Sequence, residues 1–185
     1  MVLVGHDPLY GRGMNAALAI AGRYAYVGSR TDGAKRHQHP GILVVDIGNP
    51  AKPRVVHEIG PPAAGNRGET ARELRVWPRQ DVLVVLSFDC DPPSHDCDDY
   101  AAAPALRFFD IRGERASAPV LIRTIFPSLA PHEFFLWQDP ERPDRALLYL
   151  STPGTSREDM LVVDISGVRS TPPIEAATWR APHDP

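Results

Sequence analysis

Short apolar runs of five to seven residues, each bordered by Gly, Pro, Asn, Asp or Ser, recur along the whole chain. The first two are Ala16 to Ile20 and Tyr24-Ala25-Tyr26-Val27-Gly28-Ser29. Glu73 to Trp77, Val82 to Ser87, Glu133 to Trp137 and Ala146 to Ser151 follow the same habit. Their β-branched and aromatic residues, short length and breaker-rich borders select strands over helices. Pro 20 and Gly 14 together occupy about 18% of the 185 positions. A chain so rich in residues that delete a donor or loosen the backbone has little room for long helices.

The runs repeat in a fixed order. Val44-Val45-Asp46-Ile47, Phe108-Phe109-Asp110-Ile111 and Val162-Val163-Asp164-Ile165 form one cassette, each ending in a turn at Gly48-Asn49-Pro50, Arg112-Gly113 or Ser166-Gly167. A Pro-led strand follows each turn: Pro53 to Ile59, Pro119 to Ile125, Pro173 to Trp179. Two strands precede each cassette, the second ending in Ser29, Ser87 or Ser151. Asn15 to Ser29 and Glu73 to Ser87 are both 14 positions, while Glu133 to Ser151 is 18, the excess lying in a hairpin tip at Gln138 to Pro143. The cassette aspartates are 64 and 54 apart, longer than common propeller repeats, with the surplus in loops. Four antiparallel strands repeated in this order make a propeller blade. The expected fold is all-β, a partial β-propeller of about three four-stranded antiparallel blades plus pieces of flanking blades, over repeats at about 14–60, 70–126 and 131–180. Unrelated hairpins of a β-sandwich are the alternative.

Both ends fit an interrupted repeat. Pro182-His183-Asp184 matches Pro131-His132-Glu133, so residues 181–185 read as the start of a further repeat, and Val2-Leu3-Val4-Gly5-His6 reads as an outer strand. Three blades fall short of the four to eight that close a ring, and open strand edges invite pairing. Residues 1–185 are therefore expected to be one incomplete propeller domain. Such a domain is either a fragment of a longer protein or is completed by the rest of the propeller or another chain.

Composition removes several classes. With 43% hydrophobic residues the chain can bury a core. Lys+Arg 20 against Asp+Glu 23 gives −3, which lacks the basic footprint of a nucleic-acid binder. No apolar run approaches the roughly 18 residues of a membrane span. Met1 leads into Val-Leu-Val-Gly-His without a basic head, so no signal peptide is expected within these residues.

The cassette followed by Asn49-Pro50-Ala51-Lys52-Pro53-Arg54-Val55-Val56, with Tyr24-Ala25-Tyr26-Val27 before it, resembles the LVIVD-repeat proteins. The likeness spans roughly residues 14 to 180 and is clearest in the first repeat. The second departs by carrying Phe108-Phe109, and the third lacks the Pro directly after its turn. Gly13 to Leu18, Arg72 to Trp77 and Pro131 to Trp137 look like bacterial, often exported members about twice this long. The resemblance implies a seven-bladed type of propeller with no assigned reaction, secreted or at the cell surface in the full-length protein. The family is distantly similar to the selenium-binding and methanethiol oxidase propellers, whose chemistry uses metal-bound histidines; that step is fold analogy.

Candidate chemistry sits where repeats converge. Propeller geometry places the starts of the innermost strands at one channel mouth, which gathers Asn15, Arg72, Glu73, His132, Glu133 and, from the interrupted repeat, His183 with Asp184. Such a ring suits a small polar ligand or a cation. The structural alternative pairs Arg72 and Glu73 with neighbours and turns Asn15 and His132 onto backbone groups. Cys90 and Cys97 bracket a polar, Pro-rich loop. A disulfide is expected in an exported protein; free thiols and a metal site with His95 are the alternatives, the second at a spacing wider than zinc pairs use. His37 and His39, beside Lys35 and Arg36, read as a solvated basic turn, and Asp46, Asp110 and Asp164 as acceptors in the turn after the cassette. No nucleophile elbow, phosphate loop or dinucleotide fingerprint is present. The first functional reading is a non-enzymatic binding or interaction scaffold for an unknown protein or small polar ligand, with no cofactor. The second is a metal-dependent propeller enzyme with a divalent ion at His132.

Overall fold

A computed structural model describes residues 2–12, 15–29, 39, 41–60, 70–88, 104–153 and 158–182. Among the described residues, twelve strands account for nearly all of the regular structure, and helix is limited to single 3₁₀ turns at Leu9–Gly11 and Gly113–Ala116. The first sheet contains β1 (Asn15–Ala21), β2 (Tyr24–Ser29), β3 (Ile42–Asp46) and β4 (Arg54–Ile59). The second contains β5 (Thr70–Trp77), β6 (Val82–Phe88), β7 (Ala105–Asp110) and β8 (Val120–Ile125). The third contains β9 (Glu133–Gln138), β10 (Ala146–Ser151), β11 (Met160–Asp164) and β12 (Ile174–Trp179). Each sheet is antiparallel and each runs in sequence order, so the three repeats read from the sequence become three equivalent up-and-down meanders. Among the described residues, no helix is long and apolar enough to cross a membrane.

The sheets stack face to face, with the second in the middle. Alternation along a strand sends successive side chains to opposite faces, and β6 is apolar at every position from Val82 to Leu86 because both of its faces are covered. Val82, Val84 and Leu86, with Trp77, Leu106 and Phe108, pack against Phe134, Leu136, Leu148, Leu150 and Val163 of the third sheet. Leu83 and Val85, with Leu74 and Phe109, pack against Ala19, Tyr26, Ile42 and Val44 of the first. First strands lie together: β1 against β5, and β5 against β9.

Turns also reach over the neighbouring sheet. The Tyr26 hydroxyl donates to the Ala116 carbonyl at 2.9 Å, and burial holds that phenol well above its ordinary range. Arg169, beyond β11, donates to the carbonyls of Gln80 and Asp81 at 2.6 and 3.0 Å. Arg79 donates to the carbonyls of Asp139 and Pro140.

Two expectations change. Residues 2–8 form no strand ladder, so Val2 to His6 is not an outer strand. The segment instead runs close to the turn after β3, where a Cβ on Gly5 would lie 2.0 Å from the Pro50 carbonyl oxygen. The repeat register is also not uniform. Asn15 pairs with Ser29, but Ser87 pairs with Ala71 and Glu73 with Leu86, because bulges fall at Ala17 in β1 and at Arg72 in β5. Ser29 and Ser87 are buried, whereas Ser151 is exposed and Thr152 takes the buried place. Counting positions could not register a bulge, which adds a residue to one strand without lengthening its partner.

Gly28 shows how closely the first two sheets approach. A Cβ there would lie 2.3 Å from the Ala71 carbonyl oxygen and 2.7 Å from Leu74 Cδ1. Backbone cannot yield as a flexible side chain can, so Gly28→Ala is expected to lower stability by about 2 kcal/mol, as overpacking does. Urea denaturation checks it; an unchanged midpoint would refute the close fit.

Candidate functional site

The starts of the first strands do not form one ring among the described residues. Asn15 belongs to a separate arrangement around Arg12. That guanidinium donates from Nε to Asn15 Oδ1 at 2.8 Å and from its other nitrogens to the carbonyls of His39, Gly41, Val27 and Gly28. Every side of the fork is occupied, so Arg12 pins the entering chain to the end of β2 and the start of β3. Burial lowers its pKa to about 10, partly opposed by Glu58. His39 lies at this same corner. Its Nδ1 is 2.8 Å from Glu58 Oε2 and its ring is 4.3 Å from that of Tyr10. The reading of His39 as a solvated basic turn is thereby corrected: the carboxylate comes from β4, 19 positions away, and local sequence carries no sign of it.

Arg72, His132 and Glu133 do come together, at the junction of the second and third sheets. Arg72, at the β5 bulge, lies beside His132, the residue just before β9. A guanidinium nitrogen of Arg72 meets His132 Nε2. A guanidinium can only donate, so in this contact Nε2 is on the accepting side, and Nδ1 is 3.8 Å from Glu133 Oε1. Both His132 and Glu133 are open to solvent, with side chains 46% and 59% exposed. Glu73 is engaged by Arg75 on its own strand. The assembly sets a guanidinium, an imidazole and a carboxylate side by side at a sheet boundary, able to orient a small polar ligand. Among the described residues no group of three or more His, Cys, Asp or Glu could hold a metal ion. His183, Cys90, Cys97, His95 and His37 lie outside the described residues.

The cassette aspartates perform the turn duty expected of them. Asp46 accepts from the Gly48 N–H at 2.9 Å, Asp110 from Arg112 at 3.2 Å and Asp164 from Ser166 at 2.8 Å. Asp46 adds a two-point pairing with Arg23, which with the Gly48 N–H lowers its pKa. Asp110 goes further. Arg112 grips both of its oxygens at 2.9 Å, Arg115 reaches Oδ2, and Arg169 arrives from the third sheet at 3.0 Å from Oδ1. Led by Arg112, these bonds outweigh burial and hold Asp110 far below the usual carboxylate range.

These four residues and Val120, Leu121 and Ile122 line a cleft of about 400 Å³. Three guanidiniums on one carboxylate leave excess positive charge, tempered by nearby Asp81. Arg112 and Arg115 are half-exposed, so their remaining N–H groups face solvent beside an apolar wall. The cleft is suited to an anion with an apolar body. Sequence reading missed it. Arg112 and Arg115 follow Asp110 within five positions and were legible, but Arg169 lies 59 positions on and only the stacking of sheets delivers it.

No protein-family model matches the chain, and no curated protein matches it.

Proposed function

We propose that the chain is a β-propeller segment of the LVIVD-repeat type that acts as a non-enzymatic binding scaffold, secreted or at the cell surface as part of the full-length protein. Three sequence-ordered meanders stacked with their first strands together support the propeller reading. One observation carries the binding reading: Arg72, at the bulge of β5, and His132, just before β9, meet side by side at a solvent-open junction. In a repeat fold the packed strands are committed to the core, which leaves strand ends and loops for recognition. The ligand class that fits is a small polar molecule, met by the Arg72 guanidinium, the His132 imidazole and the Glu133 carboxylate.

Elemental analysis of the purified protein and of its His132→Ala variant tests this. The expected result is metal well below one equivalent in both. Stoichiometric metal that disappears in the variant would sink the scaffold reading and favour a metal-dependent enzyme.

A further inference from the structure

The cassette aspartates share one turn duty, and the third sheet shows how little that duty needs. Asp164 meets it with the Ser166 N–H alone among the described contacts. Asp110 has the equivalent N–H of Arg112 and in addition gathers the side chains of Arg112, Arg115 and Arg169. Positive charge beyond the needs of the turn is thus collected at one place. Arg112 commits its Nε and one terminal nitrogen to Asp110, so the end of its fork has no protein partner among the described residues. Arg115 is joined through a single nitrogen. Arg169, already engaged by the Gln80 and Asp81 carbonyls, fixes the back of the cluster. Among the described residues lining the cleft, Asp110 is the one carboxylate.

The wall beside these cations is apolar and open. Val120 faces Asp110 across the ladder, at the position where the first sheet sets Arg54 opposite Asp46. Val120 and Leu121 are 47% and 51% exposed, and Ile122 continues the wall to the core cluster. We infer that this cleft binds a carboxylate carrying an apolar body, the acid group on Arg112 and Arg115 and the body along Val120, Leu121 and Ile122. A planar fork with paired N–H donors matches a carboxylate in two-point contact. Asp110 already holds those donors in place, so little freedom is lost on binding. The volume of about 400 Å³ suits a small ligand, a short hydrocarbon chain or one apolar side chain beside its acid group. A free amphiphilic acid and the C-terminal residue of a peptide share that chemistry. The cleft has no residue in common with the Arg72–His132 junction and needs no ring closure.

Titration of the 185-residue chain with sodium hexanoate at pH 7, followed by calorimetry and backbone amide shifts, tests this. Hexanoate is expected to bind with a Kd of about 1 mM or tighter, shifting amides within residues 110–122 and 167–170. Acetate keeps the charge without the chain, and hexan-1-ol keeps the chain without the charge. Each is expected to bind at least about tenfold more weakly. Arg115→Gln removes a half-exposed cation while Arg112 and Arg169 still hold Asp110, and Leu121→Ser removes part of the exposed wall. Both variants are expected to keep their β-sheet circular dichroism and to bind hexanoate at least about fivefold more weakly. N-acetyl-leucine stands in for a peptide terminus. Tighter binding of it than of hexanoate supports the site and names a peptide end as its source, and the reverse order supports the site with a free acid as its source. Equal affinity for acetate and hexanoate overturns the inference by reducing the cluster to an unspecific anion site, and so does hexanoate that fails to saturate below about 10 mM. Amide shifts centred on Arg72, His132 and Glu133 also overturn it, placing the acid at the other junction. Loss of fold in Arg115→Gln would leave the decision to Leu121→Ser and to the three probes on the wild-type chain.

Discussion

Phe108→Ala is expected to remove about 3–5 kcal/mol of stability, enough to leave a domain of ordinary stability partly unfolded at 37 °C. The ring is wholly buried between the second and third sheets, beside Val84 on its own sheet and within the cluster that includes Leu148 and Val163. Truncation removes the ring's burial and leaves a void bounded by two sheets whose backbones are fixed by their ladders, so relaxation is small. Val162 is the matched control. It is the same cassette position on the third sheet, partly exposed, and Val162→Ala is expected to cost less than 1 kcal/mol in the single chain. Urea denaturation of both variants, monitored by circular dichroism, decides the matter. Equal losses would mean that the second sheet is not enclosed by its neighbours.

The second cassette departs from the other two where it packs on both neighbours: Phe109 faces the first sheet and Phe108 the third.

Strand order and most strand bounds were legible, because each strand carries its own breakers. Tyr24–Ser29 and Ala146–Ser151 coincide with the runs read from sequence, and the Pro-led outer strands differ only by starting one residue after the Pro, which cannot donate to the ladder. Misreadings came from features without a local signature. The bulges at Ala17 and Arg72 displaced Asn15 from the row that Glu73 and Glu133 share. The segment before β1 has β-prone residues but finds no ladder, since Arg12 draws the chain across the strand ends instead. Of the proposed mouth residues, Arg72 and His132 meet because they directly precede Glu73 and Glu133, which hold the same row in adjacent first strands, a relation the repeat arithmetic encodes. The arginine cleft depends on a contact between turns of different repeats, which no spacing rule carries.

Asp110→Asn is expected to cost roughly 2–3 kcal/mol at pH 7, discounted from the 3–5 kcal/mol of a fully buried pair because Arg112 and Arg115 are half-exposed. Asp110 itself is only 2% exposed, shielded by its own arginines near the molecular surface rather than deep in the core. The amide would keep the shape but turn an N–H toward guanidiniums that can only donate. Arg169 would lose the carboxylate that, with Gln80 and Asp81, docks the third sheet's turn on the second. The sign of the pH dependence follows from the lowered folded-state pKa. Asp110 contributes in full above its unfolded value of about 4, and its contribution falls as the unfolded chain takes up a proton that the folded chain refuses. Wild-type stability should therefore decline from about pH 4 downward, and the variant should decline less steeply. Some slope should persist in the variant. At Asp139, burial is outweighed by N–H groups of Glu141 and Arg142 and by the side chains of Arg142 and Arg145, and its pKa falls to about 2. Urea midpoints from pH 7 to pH 2 measure both effects. Parallel curves for the two proteins would mean that the three arginines do not stabilise the fold through Asp110, and the cleft would then be a solvated surface rather than a fixed cationic one.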